Sequence, residues 1–200
     1  MPSFYSINRA IMIKQNGTIW WLFCVLAILI TSTPVNGQST LSEEEQEIIE
    51  QIETRGVHYG EMAQQIWSWA ELGYQEERSS ALLKQELEKA DFTIESGVAD
   101  IPTAFVASYG SGQPIIGVLG EFDALPGISQ AAVAYPQMRE GSANGHACGH
   151  HLFGTASVAA AIAIKGWLER TGTSGTIRFY GTPAEEGGAG KVYMTRAGRF

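Results

Sequence analysis

The sequence predicts an α/β fold with a mostly parallel sheet flanked by helices, and three observations carry that prediction. Helical and extended patterns alternate from residue 42 onward. The run Ile115-Ile116-Gly117-Val118-Leu119-Gly120 is apolar on both faces, as in a central strand buried under helices on either side. The reactive side chains gather in three short stretches that follow strands or enter a helix, and in open α/β sheets such loops converge on one cleft.

The elements follow in order. Ser42-Glu43-Glu44-Glu45 reads as a capping box opening a helix. Ile48, Ile52, Tyr59, Met62, Ile66 and Trp69 then recur at three-to-four spacing along one apolar face, which Gly56 and Gly60 are expected to break in two. His58 has no partner at ligand spacing and reads as structural, and Trp67 and Trp69 read as packing. A second helix over residues 79–90 carries Leu82, Leu83 and Leu87 inward. Strands are expected at 92–95, 103–109 and, after a Gly110-Ser111-Gly112 turn, 115–120. Residues 129–145, with Pro136, Gly141 and Gly145, read as a loop. An Ala-rich helix over 154–170, a turn at 172–175, a strand at 176–180 and a helix over 191–197 complete the pattern.

The first forty residues differ from the rest. Arg9 and Lys14 precede an apolar run at 19–30 that ends in Thr31-Ser32-Thr33-Pro34 and Gly37, the pattern of a secretory signal peptide over residues 1–37. The competing reading, a membrane anchor, needs about 20 apolar residues to span. Export to a periplasmic or extracellular space is therefore expected, with residues 38–200 as the mature chain. Cleavage would remove two of the 13 basic residues and none of the 21 acidic ones, taking the net charge from −8 to −10. So acidic a chain has no electrostatic footprint for nucleic acid or anionic lipid. Cys24 would leave with the signal, so Cys148 would stand alone with no internal disulfide.

The three reactive stretches are Glu121-Phe122-Asp123, the run from Asn144 through His146, Cys148, His150 and His151, and Thr182-Pro183-Ala184-Glu185-Glu186-Gly187-Gly188. Cys148-Gly149-His150 puts two metal-binding side chains close together, with a glycine between them to aim both inward. Alone, it reads equally as a buried cysteine beside surface histidines. Asp123 reads equally as a turn cap. Glu185 and Glu186 point in different directions from a tight turn, which allows one carboxylate to hold a metal while the other handles water.

These stretches, together with Trp69-Ala70-Glu71-Leu72-Gly73-Tyr74-Gln75-Glu76 and Gly120-Glu121-Phe122-Asp123-Ala124-Leu125-Pro126-Gly127, resemble the M20 metallopeptidase family in order and spacing over about residues 45–200. The likeness is to its amidohydrolase branch, the group of the aminobenzoyl-glutamate hydrolases. The resemblance implies hydrolysis of the amide bond of small N-acyl amino acids or dipeptides. It implies two divalent ions, manganese or zinc, with Cys148, His150 and Glu186 as ligands and Glu185 as general base. Asp123 would orient a ligand histidine, His146 is a weaker candidate, and His151 stands where many relatives carry Asp or Asn. The family pattern continues through a lid domain used for homodimerisation and through further ligand histidines. The chain is accordingly expected to be the N-terminal part of the catalytic domain, with the lid absent, inactive by itself.

Two other classes compete. A non-catalytic, exported metal-binding or interaction module would keep the fold without turnover. A thiol-exchange protein would use Cys148, but no resolving cysteine accompanies it.

Overall fold

Helix α1 (Glu43–Thr54) starts where the acidic run meets a cap. Ser42 Oγ accepts the Glu45 N–H at 3.2 Å, and the Glu45 carboxylate accepts the Ser42 N–H at 2.8 Å. This reciprocal pair satisfies two otherwise orphaned donors. The computed structural model describes residues 41–200, so the expected signal peptide and Cys24 lie outside the described residues. The break in the apolar face falls at Arg55, ahead of α2 (Gly56–Trp69), and Gly60 lies inside that helix. α2 buries Tyr59, Met62, Ala63 and Ile66. His58 Nε2 lies 2.9 Å from Glu86 Oε1, in keeping with a structural role. α3 (Glu77–Lys89) buries Leu83 and Leu87.

The sheet comprises β1 (Thr93–Ser96), β2 (Phe105–Ser111), β3 (Ile115–Gly120) and β4 (Gly175–Gly181) in the order β1-β2-β4-β3. It is flanked by α4 (His150–Thr171), the short α5 (Glu185–Gly188) and α6 (Gly190–Arg196). The α/β class holds, but two details differ from expectation. The sheet is mixed: β3 and β4 run parallel, whereas β1–β2 and β2–β4 are antiparallel. Of the consecutive strands, only β3 and β4 are joined by a long crossover carrying a helix, the connection that a parallel pair requires.

The second difference concerns β3, which is an edge strand among the described residues. Ile115 and Ile116 are 41% and 49% exposed. β4 takes the centre, paired with β2 over seven residues and with β3 over six. An apolar run reports that a strand suits burial, but not which strand will lie beside it.

Alternation along β2 and β4 separates two cores. Phe105, Ala107, Ile177 and Phe179 face α2, α3 and α4, while Val106 and Tyr180 pack with Met194 of α6 on the other side. The Phe105 and Phe179 rings stack at 5.6 Å between centroids. Helix α4 begins at His150, four residues earlier than the sequence pattern indicates, so His150 and His151 occupy its first turn.

Candidate metal centre

The parallel register sets Gly120 opposite Gly181, so the chain leaves β3 and β4 side by side at their carboxyl ends. Both positions require glycine. A Cβ at Gly181 would lie 2.2 Å from Phe105, and one at Gly120 2.5 Å from Phe179. Thr182 extends the alignment, its N–H and hydroxyl both donating to Gly120 O at 2.9 and 3.1 Å. Glu121 and Asp123 thereby come to face Glu185 and Glu186. The third stretch arrives through a bridge between Leu125 and Gly145, and Gly149, at φ 83°, turns the chain into α4.

His150 sits at the middle, 6% exposed. Its Nδ1 lies 2.9 Å from Asp123 Oδ1 and 3.2 Å from the Asp123 carbonyl, two acceptors that fix the proton on Nδ1. Its Nε2 lies 2.9 Å from Glu121 Oε2 and 3.8 Å from Glu185 Oε2. Asp123, itself buried, uses its second oxygen to accept the Glu186 N–H at 2.9 Å. One carboxylate thus holds both the imidazole and the glutamate turn. Burial alone would raise the Asp123 pKa, but the His150 and Glu186 hydrogen bonds outweigh it and hold the group below its ordinary value. Burial opposes charge on His150, yet Asp123, Glu121 and Glu186 together lift its pKa.

The ligand atoms of Glu121, His150 and Glu185 all lie within 4.8 Å of one another. Glu186 approaches the imidazole from the other side, its Oε1 3.8 Å from Nδ1. Cys148 is exposed, and the Glu186 carboxylate beside it, with Glu185 and Asp123 adding to the effect, pushes the thiol pKa up. That direction is opposite to what thiol exchange needs, since the thiolate is the nucleophile. His146 donates from Nε2 to Ile66 O at 3.2 Å, and burial, with His151 adding to it, lowers its pKa to about 4. The His146 and His151 rings lie 5.0 Å apart. Burial, then the neighbouring His150, also lowers the pKa of His151.

All seven residues singled out from the sequence therefore belong to the three segments that meet here. The carboxylates grouped with His150 are Glu121 and Glu185. Sequence reasoning assigns Glu121 no role, although it lies two residues from Asp123, on the same side of an extended segment, a spacing that could have revealed it. Lys191, whose ammonium pairs with Glu121, gives no local signal.

The donor set fits divalent cations. Glu121, Asp123, Glu185 and Glu186 bring four carboxylates around one imidazole, answered among the described residues by Lys191 and by the imidazole itself. Because Asp123 occupies Nδ1, the Nε2 lone pair is the one available to a cation, and Glu121 and Glu185 lie on that side.

Fold and site together define an α/β protein with an acidic, metal-binding type of cluster at the carboxyl ends of parallel strands. The profile of peptidase family M20/M25/M40 matches residues 117–200, which carry all three stretches, and the chain belongs to this family. It is 51% identical over 150 residues to a component of the p-aminobenzoyl-glutamate hydrolase of Escherichia coli (strain K12), covering 74% of this chain and 31% of that protein. It is 32% identical over 182 residues to the Homo sapiens Xaa-Arg dipeptidase, covering 82% of this chain and 38% of the relative. The chain thus spans about a third of the length of these relatives. In fold it resembles the Bacillus subtilis YXEP protein, described as a dinuclear metal binding peptidase from the M20 family. That match has a TM-score of 0.63 at 24% identity and covers 74% of this chain and 40% of the other.

Proposed function

We propose that the complete polypeptide is a metal-dependent amidohydrolase that splits the amide bond of small N-acyl amino acids or dipeptides, p-aminobenzoyl-glutamate among them. The observation that carries this reading is the convergence of Glu121, His150 and Glu185 within 4.8 Å, with Cys148 and Glu186 beside them. Cys148, His150 and Glu186 would hold two divalent ions, manganese or zinc, and Glu121 is placed to join them. Such ions would polarise the amide carbonyl and acidify water at the site.

The chain's own residues account for the remaining steps. Asp123 keeps the proton of His150 on Nδ1 and anchors the peptide N–H of Glu186. Glu185 has the more open side chain of the glutamate pair, 43% exposed against 15% for Glu186. It is therefore suited to take the proton of the attacking water and return it to the departing amine nitrogen. General-base catalysis of this kind contributes about 10²–10⁴-fold. By themselves the described residues offer a single imidazole on the acidic cluster, and we expect no turnover from the 200 residues alone.

The apolar run and its basic flank make export the natural reading for residues 1–37, and a homodimer built through a lid domain fits the family pattern. The test is to strip the complete polypeptide of metal, restore manganese or zinc separately, and follow release of p-aminobenzoate from p-aminobenzoyl-glutamate. Activity restored by metal supports the reading. The Glu185→Gln variant should then bind metal normally and lose about 10²–10⁴-fold in kcat. Full activity in a metal-free preparation, or wild-type kcat in that variant, would refute it.

A further inference from the structure

Behind the acidic cluster lies a further buried carboxylate that, among the described residues, pairs with no cation. Glu76 has no exposed surface, and burial raises its pKa. One of its oxygens accepts the Thr103 hydroxyl at 2.9 Å, and the other accepts the backbone N–H of Ala184 at 2.8 Å. Ala184 directly precedes Glu185 and stands at φ 57°, ψ 43°, a left-handed conformation that a residue with a Cβ seldom adopts. Strain of this kind persists only where the surroundings impose it.

Residues 73–76 line one side of the turn. The Tyr74 hydroxyl donates to Gly188 O at the far end of the same turn. Gly73 lies against Ala184 so closely that a Cβ there would come within 2.9 Å of it. Leu72, just upstream, bridges Ala124, next to Asp123. The glutamate turn is therefore held from two sides, by Asp123 at the Glu186 N–H and by Glu76 at the Ala184 N–H.

We propose that Glu76 is a positioning residue: the reach of its carboxylate to the Ala184 N–H sets the direction in which Glu185 is presented to the reacting water. This rests on the hydrolase reading above. A proton-transfer group displaced by about 1 Å can lose about 10²-fold in rate. What matters in this role is an acceptor at the correct distance, not a negative charge.

Two variants of the complete, metal-loaded enzyme separate reach from charge. Glu76→Gln keeps the length and the acceptor, and its amide can donate to the Thr103 oxygen. Glu76→Asp keeps the charge but shortens the side chain by one carbon–carbon bond, about 1.5 Å. The expected result is that E76Q retains at least a third of wild-type kcat. E76D should lose 10- to 100-fold in kcat, with KM, bound metal and the fraction folded at assay temperature each within about threefold of wild type. The inference is overturned if E76D matches wild type, if E76Q loses as much as E76D, or if the loss in either variant tracks a loss of folded protein. Failure of the hydrolase reading would show separately, as a metal-loaded wild-type enzyme that cleaves no amide.

Discussion

Replacing Asp123 with Asn tests the heart of the site, because the two side chains have almost the same shape but not the same hydrogen-bonding. Asp123 accepts twice, from His150 Nδ1 at 2.9 Å and from the Glu186 N–H at 2.9 Å. Asparagine offers one acceptor and one N–H2 group, so one contact must fail. If the amide nitrogen turns to Glu186, two donors confront each other in a buried place. If it turns to His150, Nδ1 must become the acceptor, and the ring proton moves to Nε2, the nitrogen that faces Glu121 and Glu185.

Either arrangement loses a hydrogen bond to a charged group, worth about 1.5–3 kcal/mol, in a residue only 1% exposed. The second also blocks the nitrogen that a cation would use, and loss of such an orienting partner typically costs about 10- to 100-fold in metal affinity. We therefore expect Asp123→Asn to lower stability by about 2 kcal/mol in urea denaturation. Calorimetric titration with manganese or zinc should show affinity weakened by at least about 10-fold. Affinity within twofold of wild type, with unchanged stability, would refute the assignment of Nδ1 to Asp123 and of Nε2 to the cation.

Three further outcomes follow from contacts elsewhere. Glu71 caps α3 from a distance, its carboxylate accepting Ser79 N–H and hydroxyl at 2.9 and 2.7 Å and Arg78 N–H and Nε at 3.2 and 2.9 Å. Burial raises its pKa, but these bonds prevail and hold it below the ordinary value of 4.5. A depressed carboxylate contributes stability above its unfolded pKa and loses it as pH falls through the folded one. Glu71→Ala should thus cost about 1–3 kcal/mol at pH 7, and urea titrations should find the gap to wild type closing below pH 4.5. Arg139 donates to Trp67 O and Ser68 O at 2.8 Å each and lies 4.2 Å over the Trp67 ring, tying the loop at 129–145 to the end of α2. Arg139→Met should cost about 2 kcal/mol and raise amide exchange in that loop. Residues 1–37 fused to a reporter enzyme that is active only outside the cytoplasm should yield activity, and replacing Leu26 with Arg should abolish it.

The elements themselves are legible because each is a short-range matter. The Ser42–Glu45 box, the 3.6-residue face of α2 and the apolar run of β3 are set by neighbours in the chain, and the structure has them where the pattern puts them. The start of α4 is less legible: Gly149 and the two histidines interrupt its Ala-rich signal, although the helix includes His150 and His151. Glu121 is within reach of a period-two reading of its strand end.

The sequence alone determined which chemical groups were available: a thiol, an imidazole and paired carboxylates in three stretches, each next to a strand or a helix start. Only the tertiary structure decided how they meet. It placed β4 between β2 and β3, gave Asp123 to Nδ1 and Glu121 to Nε2 of His150, and put Glu76 behind Ala184. The physical reason is range. Periodicity and capping arise from contacts a few residues apart, whereas strand order and the burial of Glu76 against a segment 108 residues away depend on packing that no local pattern records.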